Sequence, residues 1–157
     1  MPTVQILVRV IDTIEEPAPP FEPGMRFLFS NDLALDRYDD STPGNGLPQA
    51  QQQRLAGTHS GFVTVLRVAG ANDRFFPPGS LLVDYDATYK FNTLADTPLW
   101  EGQVTARGVL LVDSDINPLE PPARFAITGG TGPYSTAHGT TTEAVPSPDS
   151  RQLDIEL

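Results

Sequence analysis

Few side chains in this sequence are equipped for covalent or acid–base chemistry. There is no cysteine, which excludes a thiolate nucleophile, a cysteine zinc site and a cysteine-held iron–sulfur cluster. His59 and His138 are the two histidines. They sit on separate stretches with no ligand spacing around them, whereas a metal site needs converging His, Asp or Glu. Ser60 and Ser135 lie close by, yet no strand–G-x-S-x-G–helix elbow frames either serine. Both histidines therefore read as surface or hydrogen-bonded residues. The acidic groups Asp36, Asp39, Asp40 and Asp113, Asp115 lack the glycine and terminal Glu of a calcium loop. They read as solvated turns and edge protection. Three polar handles remain: Glu143, Arg67 and Glu101. A buried Glu143 would offer a proton or hydrogen bond to a carbonyl. Arg67, in the alternation Val63, Val65, Arg67, would hold an enolate or carboxylate. Glu101 stands beside Trp100, the single tryptophan. The ordinary fate of each is a solvated strand position or a structural ion pair, because Glu and Arg are seldom fully buried. No cofactor and no metal is implied.

The aromatic residues are better placed than the charged ones. Tyr85, Tyr89 and Phe91 share one parity of a β-type run, and the opposite parity (Leu82, Asp84, Asp86, Thr88, Lys90) is far more polar, so the aromatic face points inward. Phe27 and Phe29 alternate in the same way, and Trp100 opens a later run. Such residues would line an apolar, shape-matched cavity, or they would simply fill a core.

The elements that must position these groups are strands. Residues 4–11 alternate Val4, Ile6, Val8, Val10 against Gln5, Leu7, Arg9, Ile11. Further strands read at about 25–33, 54–68, 81–91, 99–112, 123–128, 134–145 and 151–157. Pro and Gly clusters punctuate them, and the Gly57 and Gly61 positions bend the third. Eight such strands and no helix point to a single all-β domain over 1–157, an eight-stranded antiparallel barrel or a sandwich. A closed barrel of eight has an interior wide enough for side chains or one small ligand. Residues 36–53, with two prolines, two glycines and almost nothing apolar, read as a long polar loop and a candidate lid.

Bulk composition agrees. The chain has 157 residues, 13 Gly and 16 Pro, too many breakers for a helical bundle. Its net charge of −10 argues against nucleic acid or an anionic membrane as partner. Arg9 and Asp12 interrupt the first apolar stretch, so no signal peptide is read there. No run reaches membrane-span length, and a soluble cytoplasmic protein is the expectation.

The most specific string is Arg124-Phe125-Ala126-Ile127-Thr128-Gly129-Gly130-Thr131-Gly132-Pro133-Tyr134, followed by Gly139. A phosphate-cradling loop would need a helix after the glycines, but Ser135–Thr142 is β-prone. The string resembles the signature hairpin of the allene oxide cyclase and dirigent barrel superfamily. Gly57-Thr58-His59-Ser60-Gly61 resembles that superfamily's third strand. The order of the N-terminal half, from a strand ending in an acidic–Pro turn to a Phe strand and an acidic loop, is similar to bacterial spirotetronate cyclases, the Diels–Alderases of polyketide pathways. The resemblance implies an eight-stranded barrel with an apolar lumen open at one end and cofactor-free closure of a ring in a polyketide-like substrate. A dirigent-like, non-catalytic binding barrel is the alternative. The arm after the glycines would offer Glu143 and Thr141 to the lumen, although the two faces of that strand are both mixed. Such barrels pair through an outer apolar face, and a homodimer is expected.

Overall fold

The computed structural model describes residues 3–13, 20–40, 54–92, 101–120, 122–143 and 150–157. Alternation dictates its architecture. Along β4 (Leu81–Phe91) every second side chain is buried, from Leu81 through Val83, Tyr85, Ala87 and Tyr89 to Phe91. The pleat sends successive side chains to opposite faces, so this strand presents an apolar inner face and a polar outer one. The remaining strands are β1 (Thr3–Thr13), β2 (Arg26–Asp40), β3 (Arg54–Val68), β5 (Gly102–Val112), β6 (Arg124–Thr131), β7 (His138–Glu143) and β8 (Ser150–Glu156). Each pairs antiparallel with the next, and β1 pairs with β8 from Thr3↔Glu156 to Arg9↔Ser150, closing an eight-stranded barrel. Among the described residues closure leaves no open sheet edge. Among the described residues no helix is long and apolar enough to cross a membrane.

Several boundaries differ from the sequence expectation. β2 runs on to Asp40, because Val4↔Asp40 through Leu7↔Arg37 extend its pairing with β1. Residues 36–40 are therefore strand, while 41–53, the rest of the expected lid, lie outside the described residues. The roots of that segment, Asp40 and Arg54, are at the end of the barrel that also holds Phe91, Gly102 and His138. β5 begins at Gly102, three residues later than expected. β7 begins at His138, because Gly132–Tyr134 forms a single 3₁₀ turn first.

The glycine-rich string is a hairpin corner, and its effect is to plug one end of the barrel. Gly132 takes a left-handed φ of 60°. A Cβ at Gly130 would fall 2.2 Å from the Gln103 carbonyl oxygen and 2.7 Å from that of Tyr134. Only glycine allows this approach, which folds Tyr134 back under the corner. Tyr134 is fully buried, with its ring 5.8 Å from that of Phe91. At the opposite end β2, β4, β6 and β8 start and β3, β5 and β7 finish. The aromatic plug leaves this second end as the place for a site.

Candidate functional site

At that second end lies a cavity of about 480 Å³, lined by Phe27, Phe29, Asn31, His59, Val63, Tyr85, Glu143 and Arg151, with Ser114–Ile116 of the β5–β6 turn at its rim. The volume is within the range of small-molecule sites. Its walls are apolar at Phe27, Phe29, Val63 and Ile116. Five of its polar residues, Asn31, His59, Tyr85, Glu143 and Arg151, are joined into one network.

Cross-strand pairing builds most of that network. Asn31 on β2 is the direct partner of His59 on β3, and His59 is the direct partner of Tyr89 on β4. Glu143 on β7 is the direct partner of Arg151 on β8. The two halves are joined across the lumen. The Tyr85 hydroxyl donates to Glu143 Oε1 at 2.6 Å and lies 2.6 Å from His59 Nε2. With the Asn31 amide oriented to donate to His59 Nδ1 at 3.2 Å, the imidazole carries its proton on Nε2 and donates it to Tyr85. Every hydrogen bond then points toward the Glu143 carboxylate, whose other partner is the Arg151 guanidinium at 3.3 Å. The Tyr85–Glu143 bridge forms the floor of the cavity. Below it Tyr89, Thr141, Phe91 and Tyr134 are buried.

Glycines make room for this arrangement. A Cβ at Gly57 or Gly61 would meet the backbone oxygens of Lys90 or Asp86 on β4 at 1.8 and 1.9 Å. Bare glycine on each side of His59 lets β3 press onto β4, and His59 stacks on Tyr89 with ring centroids 4.4 Å apart. Gly108, opposite Tyr85 on β5, leaves a gap that the Phe125 ring of β6 fills. Phe125 stacks on Tyr85 at 4.2 Å, and Phe29 stacks on it at 5.4 Å with an interplanar angle of 7°. The phenol is thus fixed by rings as well as by hydrogen bonds.

Burial sets the protonation states. Desolvation, with the Arg151 charge second, holds the His59 pKa well below its usual value, so the ring stays neutral. Desolvation and then the Glu143 charge push the Tyr85 pKa well above its usual value, and Tyr85 remains a hydrogen-bond donor. Tyr89 is raised for the same two reasons. Its hydroxyl lies beside that of Thr141 without reaching hydrogen-bond geometry.

The neutral His59 makes stability pH-dependent. Unfolded, the imidazole takes up a proton below about pH 6.5. Folded, it resists to lower pH. Below 6.5 the unfolded chain therefore binds more protons, and stability falls as pH falls, by up to about 1.4 kcal/mol per pH unit. Asp73, Asp84 and Asp113, held below the usual carboxylate range by hydrogen bonds to backbone N–H groups or to arginine, add their own loss only below about pH 4. Denaturant titrations at pH 6.5 and 5 are expected to show this loss in the parent protein and a much flatter response in His59→Gln.

The residues expected from sequence divide clearly. Phe27, Phe29, Tyr85 and Glu143 meet at the cavity, and Tyr89, Phe91 and Thr141 lie beneath it. Trp100 lies outside the described residues. Arg67 is turned outward, a correction to the inner-face alternation. Val65 pairs with Val83 and Arg67 with Leu82, so Leu66 is an inserted bulge residue that reverses the parity beyond it. Arg67 forms an outer ion pair with Asp73 at 2.6 Å and lies over the Phe76 ring. Glu101 precedes β5, is exposed, and belongs to the far end of the barrel. Sequence reasoning missed His59, Asn31 and Arg151. Parity would have found them: His59 alternates with Val63 and Val65, Asn31 with Phe27 and Phe29, and Arg151 with Leu153 and Ile155.

No family model matches the chain, and no curated protein sequence matches it. Solved structures that match the chain include the following two. A pterocarpan synthase dirigent protein is 16% identical over 98% of this chain and 86% of its own, with a TM-score of 0.48. A pyocyanin demethylase is 21% identical over 98% of this chain and 99% of its own, with a TM-score of 0.56, and that likeness is one of barrel fold.

Proposed function

We propose that the protein is a cofactor-independent cyclase that folds a conjugated, polyketide-like substrate in its lumen for intramolecular ring closure, by [4+2] or related cycloaddition. One observation carries this reading: a cavity of about 480 Å³ with apolar walls has Asn31, His59, Tyr85, Glu143 and Arg151 gathered into one network. Ring closure in a flexible chain is limited mainly by the entropy of bringing its ends together. A shaped wall removes that barrier without an acid or base of unusual strength. The apolar body of the substrate packs against Phe27, Phe29, Val63 and Ile116. An enolate or carbonyl head group sits toward Arg151, and the Tyr85 hydroxyl polarises it by turning its one proton from Glu143 to the ligand. Arg151 takes the part that the alternation assigned to Arg67. The compatibility of such a barrel with catalysis is supported by the demethylase named above.

A second reading is a barrel that binds or orients a small apolar ligand without turning it over. It is favoured by the fact that Tyr85, His59 and Glu143 already satisfy one another. Product formation separates the two. Purified protein is incubated with a linear polyene–tetronate precursor, and cyclised product is followed by chromatography and mass spectrometry against buffer. Cyclisation well above the buffer rate is expected, and consumption at the buffer rate would sink the cyclase reading.

A further inference from the structure

We propose that Ile116 is the specificity-determining residue of the cavity mouth, a bulky stopper held in a strained turn so that flat ligands enter and branched ones are turned away. The proposal rests on the reading that the cavity takes a ligand. Ile116 is the one non-glycine residue with positive φ among the described residues, at 64°. The left-handed region is strongly disfavoured for β-branched side chains, whereas Gly, Asn and Asp enter it readily. The local sequence Asp115-Ile116-Asn117 has two such tolerant residues, and neither occupies the left-handed position. The turn is over-determined from outside. Asp113 Oδ1 accepts from the backbone N–H groups of Asp115 and Asn117, each at 2.9 Å. The Asp113 N–H donates to the Asn117 carbonyl at 2.9 Å, the Ile116 N–H donates to the Asp113 carbonyl at 3.1 Å, and Pro118 bridges back to Val112.

The turn itself gains nothing from isoleucine, but the cavity does. Although it sits on a surface turn, Ile116 is half-buried, packs against the core and lines the cavity. β2 lies four strands round the barrel from β6, so Phe27 and Phe29 face the β5–β6 turn from across the lumen. The mouth is therefore framed by two rings on one side and a branched aliphatic group on the other. That is a gap suited to a slab-like molecule. Strain of this kind is retained where surrounding structure imposes it and where a site makes use of it.

The test uses Ile116→Ala, with Ile116→Asn as the variant that relieves the left-handed strain while keeping side-chain length. Binding of 2-naphthol, which is flat, and 1-adamantanol, which is globular, is measured by calorimetry. Ile116→Ala is expected to tighten 1-adamantanol by about tenfold or more and 2-naphthol by less than about threefold, the scale on which a few methyl groups discriminate in a pocket. Where the probes bind, equal shifts for both, or none for either, would overturn the proposal. Access is also read without any ligand, by the rate at which diethyl pyrocarbonate modifies His59, with exposed His138 as internal reference. Ile116→Ala is expected to raise the His59 rate about tenfold and Ile116→Asn far less. An unchanged rate overturns the stopper. Absence of binding by both probes to parent and variants, with the His59 rate raised, would overturn the ligand-binding reading and leave Ile116 as the barrier to entry.

Discussion

Tyr85→Phe is expected to lower kcat/KM for the proposed ring closure by about 10²–10³-fold, the range for loss of one positioned hydrogen-bond donor or acid, and to leave the barrel folded. The substitution keeps the ring that stacks on Phe29 and Phe125 and removes only the hydroxyl bridging β4 to β7. Glu143 loses its donor and His59 Nε2–H its acceptor. Leaving such buried groups short of a partner costs about 1–3 kcal/mol, well inside the usual stability of a domain. The variant should still exceed the buffer rate by a wide margin. Confinement of the chain to its reactive fold by the walls of the lumen does not depend on the hydroxyl. The outcome thus sorts the two contributions. A fall to the buffer rate would mean that the network, not the shape of the lumen, performs the reaction. A change smaller than about threefold would mean that shape alone suffices and that the Tyr85–Glu143 bridge is structural. Glu143→Gln separates them further, since the amide still accepts from Tyr85 but loses the charge that faces Arg151.

How much of this site could be read in the sequence depended on distance along the sheet. The inner face of β4 was legible from alternation alone, because its two parities differ so strongly in polarity. So were eight strands and the role of the glycine string as a corner. Parity failed at Arg67, where a single bulge residue reverses the faces and leaves no mark in the hydrophobic pattern. Contacts across the lumen were not legible at all: Tyr85 and Glu143 are far apart in sequence and three strands apart in the barrel. No periodicity encodes such a pair, and only closure of β1 onto β8 brings its two strands face to face. His59 was under-read for a different reason. A lone histidine is ordinarily a bland residue, and what makes this one part of a site is the pair of glycines beside it.

That pair sets the second large effect. Gly57→Ala and Gly61→Ala are each expected to destabilise the protein by more than about 3 kcal/mol, the upper range for a single substitution. The obstacle in both cases is backbone. At Gly61 the new methyl carbon would stand 1.9 Å from the Asp86 carbonyl oxygen and 2.9 Å from the Ala87 Cα. At Gly57 it would stand 1.8 Å from the Lys90 oxygen, with a φ of 150° that side chains rarely adopt. A clashing side-chain end would swing aside, but a ladder strand must move as a whole. Moving β4 off β3 would open the His59–Tyr89 stack and carry Tyr85 away from Glu143. Gly70→Ala is the control, since nothing lies within 4 Å of a Cβ there and its φ is unexceptional. It should change stability by less than about 0.5 kcal/mol, or raise it slightly by narrowing the unfolded ensemble. Gly79→Ala, with open space but a φ of 81°, should fall between the two, at about 1 kcal/mol. Guanidinium unfolding of the four variants measures the series. If Gly61→Ala matched Gly70→Ala, β3 and β4 would not be pressed together as described, and His59 would lose the structural reason for its place in the site.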